Sequence, residues 1–126
     1  MRYRWLFFLL LIVSAGNLLF GAAGDGVWLS RVPNAQRGRA NPLADDPRAA
    51  AAGQKLFGDN CAKCHGKNAE GKGRKPALRS ERVREASPGE LEWLLTNGSL
   101  RNGMPSWSRL PEQQRWQLIA FLKSLR

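Results

Sequence analysis

Residues 61–65 are Cys61-Ala62-Lys63-Cys64-His65, and they contain both cysteines and the single histidine of the 126-residue chain. A C-x-x-C-H run is the attachment signature of a c-type haem, in which two thiols form thioethers to the porphyrin and the adjacent imidazole reaches the iron. The motif therefore predicts one covalent haem c, attached through Cys61 and Cys64, with His65 as an axial ligand of the iron.

Two other uses of the same residues fit the sequence less well. A structural zinc site takes four ligands, and the chain offers three cysteines and histidines, two of them consecutive. A redox-active dithiol would accompany a βαβ pattern, but no alternating run of β-branched residues flanks Cys61. Haem attachment is the interpretation that uses all three side chains.

Several further segments lie around the motif in a definite order. Gly53 and Phe57 precede it, residues 102–105 (Asn-Gly-Met-Pro) follow it, and a terminal amphipathic stretch contains Phe121. Over about residues 47–126 this arrangement resembles the class I monohaem cytochromes c. The resemblance implies an all-α fold, a small cytochrome c in which three or more helices wrap around one covalently bound haem.

The resemblance also implies a second axial ligand. Met104 is the only methionine besides Met1, and it lies in a loop between two predicted helices. Pro76 is the implied carbonyl acceptor for the second ring nitrogen of His65, although an ordinary turn proline would give the same sequence. The other implied haem-pocket residues are Leu78, Asn102 and Trp107.

Two details of that pocket stay open in the sequence. Asn102 could donate a hydrogen bond to the methionine sulfur or to a haem propionate, or it could close a turn. Trp107 and Leu100 are expected to press the loop over the porphyrin.

A haem iron with histidine and methionine ligands has no vacant position for a small molecule, so we expect an electron carrier and not an enzyme. One alternative is a cytochrome subunit fixed to a dehydrogenase complex, with residues 25–46 as its docking arm. Another is a haem enzyme or gas sensor, if Met104 does not bind the iron.

The chain divides into three parts by composition. Residues 1–23 combine a positive start with an apolar run and small residues, which predicts a signal peptide or an N-terminal membrane anchor. Residues 24–46 form a proline- and glycine-containing extended linker or arm, and residues 47–126 form the cytochrome c domain. Either fate of the leader places the domain in the periplasm or on the extracytoplasmic face of the cytoplasmic membrane.

Helix signals within the domain are clear at three places. Asp46 is expected to cap a helix that starts at Pro47, and residues 87–90 (Ser-Pro-Gly-Glu) form a capping box for a second helix that ends at Gly98. A third helix is expected from Pro111 to Leu125. No segment predicts a strand.

The formal net charge of the chain is +10. Six basic residues surround the motif, with Glu70 the only acid among them; they are Lys63, Lys67, Lys72, Arg74, Lys75 and Arg79. They are predicted to steer a redox partner that carries an acidic docking patch. They could instead be solvated side chains or contacts to anionic lipid. Nucleic acid is a poor fit as a partner, because no recognition motif accompanies the charge. We expect the protein to be a monomer.

Overall fold

The computed structural model describes residues 27–126. Within this range the chain forms six α-helices and two 3₁₀ segments, Val27–Arg31 and Leu100–Asn102. The α-helices are α1 (Asn34–Arg37), α2 (Ala49–Asn60), α3 (Ala62–His65), α4 (Glu81–Glu85), α5 (Pro88–Asn97) and α6 (Glu112–Ser124). The described residues contain two isolated β-bridges but no strand, so the predicted all-α class is confirmed.

The predicted leader, residues 1–23, lies outside the described residues, as do residues 24–26. Among the helices of residues 27–126, none has the length and hydrophobicity needed to cross a bilayer. The division of the chain at residue 46 stays a prediction.

The most extensive helix pair is α2 with α6. Gly53 is buried at their crossing, where a Cβ atom would overlap the carbonyl oxygen of Gln117 and lie 2.9 Å from Cβ of Phe121. One turn further along α2, the ring of Phe57 lies 5.2 Å from that of Phe121, centroid to centroid, with the planes tilted by 49°. Gly53 and Phe57 are therefore residues through which α2 contacts the last helix.

The two C-terminal helices begin as the sequence predicted. The Ser87 hydroxyl accepts a hydrogen bond from the Glu90 amide at 3.1 Å, and the Glu90 carboxylate accepts one from the Ser87 amide at 2.7 Å. Gly98 ends α5 with φ of +69°, and α6 follows Pro111. The apolar face of α6 is buried in the core.

The first domain helix begins two residues later than predicted. Pro47 and Arg48 form a turn, and α2 starts at Ala49. Asp46 still serves this end of the helix, because its carboxylate accepts a hydrogen bond from the Arg48 amide at 2.9 Å. That bond and the Arg48 side chain lower the pKa of Asp46.

Helix α4 was not predicted, because it is only five residues long and depends on a distant side chain. Val83 is its buried residue. The Lys123 ammonium group, on α6, donates to the carbonyls of Arg84 and Ala86, the latter at 2.6 Å, and so satisfies the C-terminal end of α4. Burial lowers the pKa of Lys123.

Residues 27–46 pack along α5 and α6. The buried Asn41 side chain donates to the Trp116 carbonyl at 2.9 Å, and the Arg39 guanidinium lies 5.2 Å from the Trp116 ring centroid. Arg39 also bonds Glu112 at 2.6 Å. Residues 27–46 therefore lie packed on the surface of the domain.

Helix α1 approaches α5 closely within this arm. Arg37 pairs with Glu90, and its carbonyl accepts a bond from the Ser87 hydroxyl at 2.8 Å. Gly89 is buried here, and a Cβ atom on it would overlap the Gln36 carbonyl oxygen. The sequence showed no sustained helical period in the arm, because α1 is a single turn held by these contacts.

We expect Gly53→Ala to destabilise the protein by about 3 kcal/mol, because the added methyl group forces α2 and α6 apart. The matched control is Gly58→Ala on the same helix, where nothing lies within 4 Å of the position that the added methyl group would take. The control should gain about 0.5–1 kcal/mol from helix propensity. Denaturant unfolding of the haem-loaded proteins measures both, and equal midpoints for the two variants would contradict the crossing.

Candidate functional site

The C-x-x-C-H residues lie on a single helical turn. Helix α2 continues into the motif, since the Cys61 amide donates to the Phe57 carbonyl at 2.8 Å, and the His65 amide donates to the Cys61 carbonyl at 2.9 Å. Residues three and four positions apart share one face of a helix, so Cys61, Cys64 and His65 are neighbours. The backbone therefore presents two thiols and one imidazole on the same side of α3.

The two thiols differ in their surroundings. Cys61 is half-buried and Cys64 is exposed, and no disulfide joins them. Burial raises the pKa of the Cys61 thiol to about 11, and the neighbouring Cys64 contributes in the same direction. Cys61 is therefore a neutral thiol at neutral pH.

The His65 ring is held through one of its two nitrogens. Nδ1 lies 2.9 Å from the Pro76 carbonyl oxygen. A carbonyl can only accept, so the proton must be on Nδ1, and the Nε2 nitrogen of the neutral ring then carries the lone pair. The contact is the one that the resemblance implied for Pro76, and it fixes both the tautomer and the orientation of the ring.

The loop after the motif brings Pro76 back to His65. The Gly71 amide donates to the His65 carbonyl at 2.7 Å, and the Leu78 amide donates to the Ala69 carbonyl at 2.8 Å. Gly71 has φ of +86°, and a Cβ atom there would lie 2.8 Å from the Lys75 carbonyl oxygen. Sequence reasoning did not single out Gly71, although a glycine soon after the motif was a signal for a tight turn.

Met104 lies in a loop that closes on itself. The Ser99 amide donates to the Met104 carbonyl at 2.9 Å, and the Met104 amide donates to the Ser99 carbonyl at 3.1 Å. Gly103 adopts the left-handed conformation next to Met104, with φ of +75°. The Met104 side chain is half-buried and packs against the core cluster.

The implied pocket residues take different positions. Leu78 is half-buried against the core cluster, whereas Trp107 is buried and donates from its amide to the Leu95 carbonyl at 2.7 Å. The Asn102 side chain donates to the Ser99 hydroxyl at 2.9 Å, the turn-closing role that the sequence had left open. Leu100 is 73% exposed, and its expected role of pressing the loop over the porphyrin stays a prediction.

Five of the six basic candidates are exposed, namely Lys63, Lys67, Lys72, Arg74 and Arg79. Lys75 is half-buried, and its ammonium group donates to the Asn102 carbonyl at 3.1 Å. Sequence reasoning missed this contact, because residues 75 and 102 belong to separate loops.

Glu70, the acid in this basic region, is hydrogen-bonded to the backbone. The Glu70 carboxylate accepts a hydrogen bond from the Asn68 amide at 2.8 Å. Hydrogen bonds from its own amide and from that of Asn68 lower the pKa of Glu70. The carboxylate lies under Gly66, whose φ is +85°, so it supports the turn that follows His65.

Comparison with protein families shows a match to the family described as cytochrome c oxidase, cbb3-type, subunit III. The match spans residues 48–122 and so includes Cys61, Cys64, His65 and Met104.

Two individual proteins are similar to this chain over part of their own length. The cbb3-type cytochrome c oxidase subunit CcoP of Rubrivivax gelatinosus is 56% identical over 32 residues, which are 25% of this chain and 10% of that subunit. The crystal structure of cytochrome CL from Methylophaga aminisulfidivorans is similar with a TM-score of 0.58 and 30% identity. That similarity covers 68% of this chain and 58% of cytochrome CL. The chain thus spans less than two thirds of either protein.

Proposed function

The chain belongs to the cytochrome c oxidase, cbb3-type, subunit III family, and we propose on that basis that it transfers electrons through one c-type haem. Cys61 and Cys64 are the proposed attachment residues, and His65 and Met104 are the proposed axial ligands. The observation that carries the proposal is the 2.9 Å contact between His65 Nδ1 and the Pro76 carbonyl, because it leaves Nε2 as the nitrogen for a metal.

The residues present fit a haem in their chemistry. An imidazole nitrogen and a thioether sulfur are an axial pair that haem iron accepts. Cys61, Leu78 and Met104 are all half-buried against the same core cluster, so their apolar surface has further room to be covered. Cys64 is exposed on the same face as His65 and can react with a porphyrin edge.

The chain contributes positioning and not acid–base chemistry. When bound, haem c supplies an iron that changes between the ferrous and ferric states. Met104, as a thioether ligand, favours the ferrous state relative to a second nitrogen ligand. With Met104 and His65 as ligands, the protein leaves no open position for a substrate, and we infer that it is not an enzyme.

The proposed location is the periplasm or the extracytoplasmic face of the membrane. Residues 1–23 support this proposal through their positive start and apolar run. Whether they are cleaved or retained as an anchor decides between a soluble carrier and a tethered one.

The proposed partner is a redox protein with an acidic docking patch. Five exposed cations near the motif support it, and the acid among them, Glu70, is bonded to the backbone. Such a surface attracts an anionic partner through a field that falls off within a Debye length, about 8–10 Å at physiological salt.

A second candidate is a cytochrome subunit fixed to an oxidase complex. The observations that favour it are the family match itself and the similarity of 32 residues to subunit CcoP. This candidate and the mobile carrier share the same haem site, and they differ in how long the chain stays with its partner.

We expect carbon monoxide to leave the visible spectrum of the reduced, haem-loaded protein unchanged, because Met104 occupies the sixth coordination position of the iron. In Met104→Ala every haem-loaded molecule should bind the gas, and the spectrum should shift. The matched control is Arg101→Ala, an exposed position in the same loop, which should behave as the native chain. Rapid binding of the gas by the native chain would overturn Met104 ligation and favour a gas sensor or haem enzyme.

The basic surface can be tested without knowing the partner. We expect Lys67→Glu to slow the oxidation of the reduced protein by ferricyanide, an anion, roughly twofold to fivefold at low salt. The control is Arg31→Glu, an equal charge change on the exposed arm. Added salt should remove the difference between the two variants. Equal rates for both at low salt would argue against a docking surface near the motif.

Copurification separates the carrier from the fixed subunit. A tagged chain is purified from native membranes that have been solubilised in mild detergent. If the chain is a carrier, the purified fraction should have no oxygen-reducing activity. A fixed subunit should elute with that activity in a constant ratio through a second, sizing column. The constant ratio would replace the carrier proposal with the subunit proposal.

A further inference from the structure

Lys75 differs from the other basic residues near the motif in its burial and in bonding a separate loop; the exposed Lys72 donates to the Lys63 carbonyl at 3.4 Å, within the stretch around the motif. The Lys75 side chain is half-buried, whereas Lys63, Lys67 and Lys72 are exposed. Its ammonium group donates to the Asn102 carbonyl at 3.1 Å. A cation that is already engaged with the protein in this way is poorly placed to serve a partner.

The backbone of Lys75 is fixed relative to His65. The Lys72 amide donates to the Lys75 carbonyl at 3.1 Å, and the Lys75 amide donates to the Lys72 carbonyl at 2.8 Å. The next residue is Pro76, whose carbonyl contacts the His65 ring. The stem of Lys75 therefore begins from the same short turn that orients the imidazole.

The acceptor of the Lys75 bond is equally fixed relative to Met104. Asn102 lies inside the loop that is closed by the two backbone bonds between Ser99 and Met104. Its own amide donates to the Ser99 carbonyl at 2.9 Å. Movement of the Asn102 carbonyl is thus coupled to movement of Met104.

The Lys75 ammonium group lies close to Gly103. A Cβ atom on Gly103 would lie 2.8 Å from the Lys75 ammonium nitrogen, closer than unbonded atoms normally approach. The ammonium group therefore sits directly over the backbone that precedes Met104.

We propose that Lys75 is a positioning residue that fastens the Met104 loop to the His65 loop, and that it does not dock partners. The inference rests on the proposed function, because the Lys75–Asn102 bond affects the iron only if His65 and Met104 are its axial ligands. A charge-assisted hydrogen bond between two self-closed loops opposes their separation, and the sulfur can leave the iron only if its loop moves away. Lys75 thereby limits how often the sixth position opens.

The test is the rate at which imidazole binds to the ferric, haem-loaded protein. Imidazole can bind only after Met104 leaves, and at mildly alkaline pH it is uncharged, so loss of a surface cation does not steer it. Lys75→Leu removes the ammonium group, Lys75→Arg retains a cationic donor, and Arg101→Leu removes an exposed cation from the Met104 loop as a matched control. The weak far-red band of ferric iron bound to methionine sulfur is recorded before each reaction.

We expect Lys75→Leu to bind imidazole about threefold to tenfold faster than the native chain. Lys75→Arg and Arg101→Leu should stay within about twofold of the native rate. If Lys75→Leu and Arg101→Leu bind imidazole at equal rates and the native chain shows the far-red band, the role of Lys75 is overturned. The proposed His65–Met104 ligation is then unaffected. Absence of that band from the native chain would overturn the proposed His65–Met104 ligation and this role with it. If Lys75→Leu fails to fold, Lys75→Ala takes its place: imidazole binding at least about threefold faster than in Arg101→Leu supports the role, and binding at the Arg101→Leu rate overturns it.

Discussion

The crossing of α2 and α6 at Gly53 is the contact on which the site depends. Helix α2 continues directly into the turn that carries Cys61, so its position relative to α6 sets where the motif lies. Gly53 permits an approach that any side chain would prevent, and the Phe57 and Phe121 rings fill the space one turn further on. A constraint about two helical turns before the cysteine thus determines the direction in which the thiols and the imidazole face.

Side chains next to the motif are only partly covered by the core. Phe57, Leu118 and Ile119 are almost fully buried, whereas Cys61 and Met104 are only half-buried against the same cluster. A small domain has little apolar surface to spare, and a large apolar cofactor bound there would add to its core. Under the proposed function, folding and haem binding are therefore linked, because a ligand that binds the folded chain stabilises it.

The elements that the sequence predicted are those with local signals. The capping box of Ser87 and Glu90 needs only residues of its own turn, and the apolar face of α6 repeats with the helical period. Helix α4 and the packing of the arm escaped prediction because distant groups hold them: the Lys123 ammonium group holds α4, and the Trp116 carbonyl, which accepts from Asn41, holds the arm. The site divides in the same way between local and distant information. The spacing of Cys61, Cys64 and His65 places them on one turn from sequence alone. Pro76 was identified through the resemblance to cytochromes c, and its carbonyl lies at the His65 ring in the structure. The Lys75–Asn102 bond could not be found in this way, because a hydrogen bond between two loops leaves no periodic signal.

The 20 lysines and arginines of the chain overstate the number of cations that are available to a partner. Arg37, Arg39 and Arg115 pair with glutamates and hold the arm and α6 against α5. Lys123 satisfies the end of α4, and Lys75 is engaged with the Met104 loop. Basic side chains that close the fold are bound to oxygen atoms of the same chain and contribute less to recognition than exposed ones. The field that a partner meets near the motif therefore comes mainly from the five exposed cations, which lie within the same short stretch as the proposed haem-attachment residues.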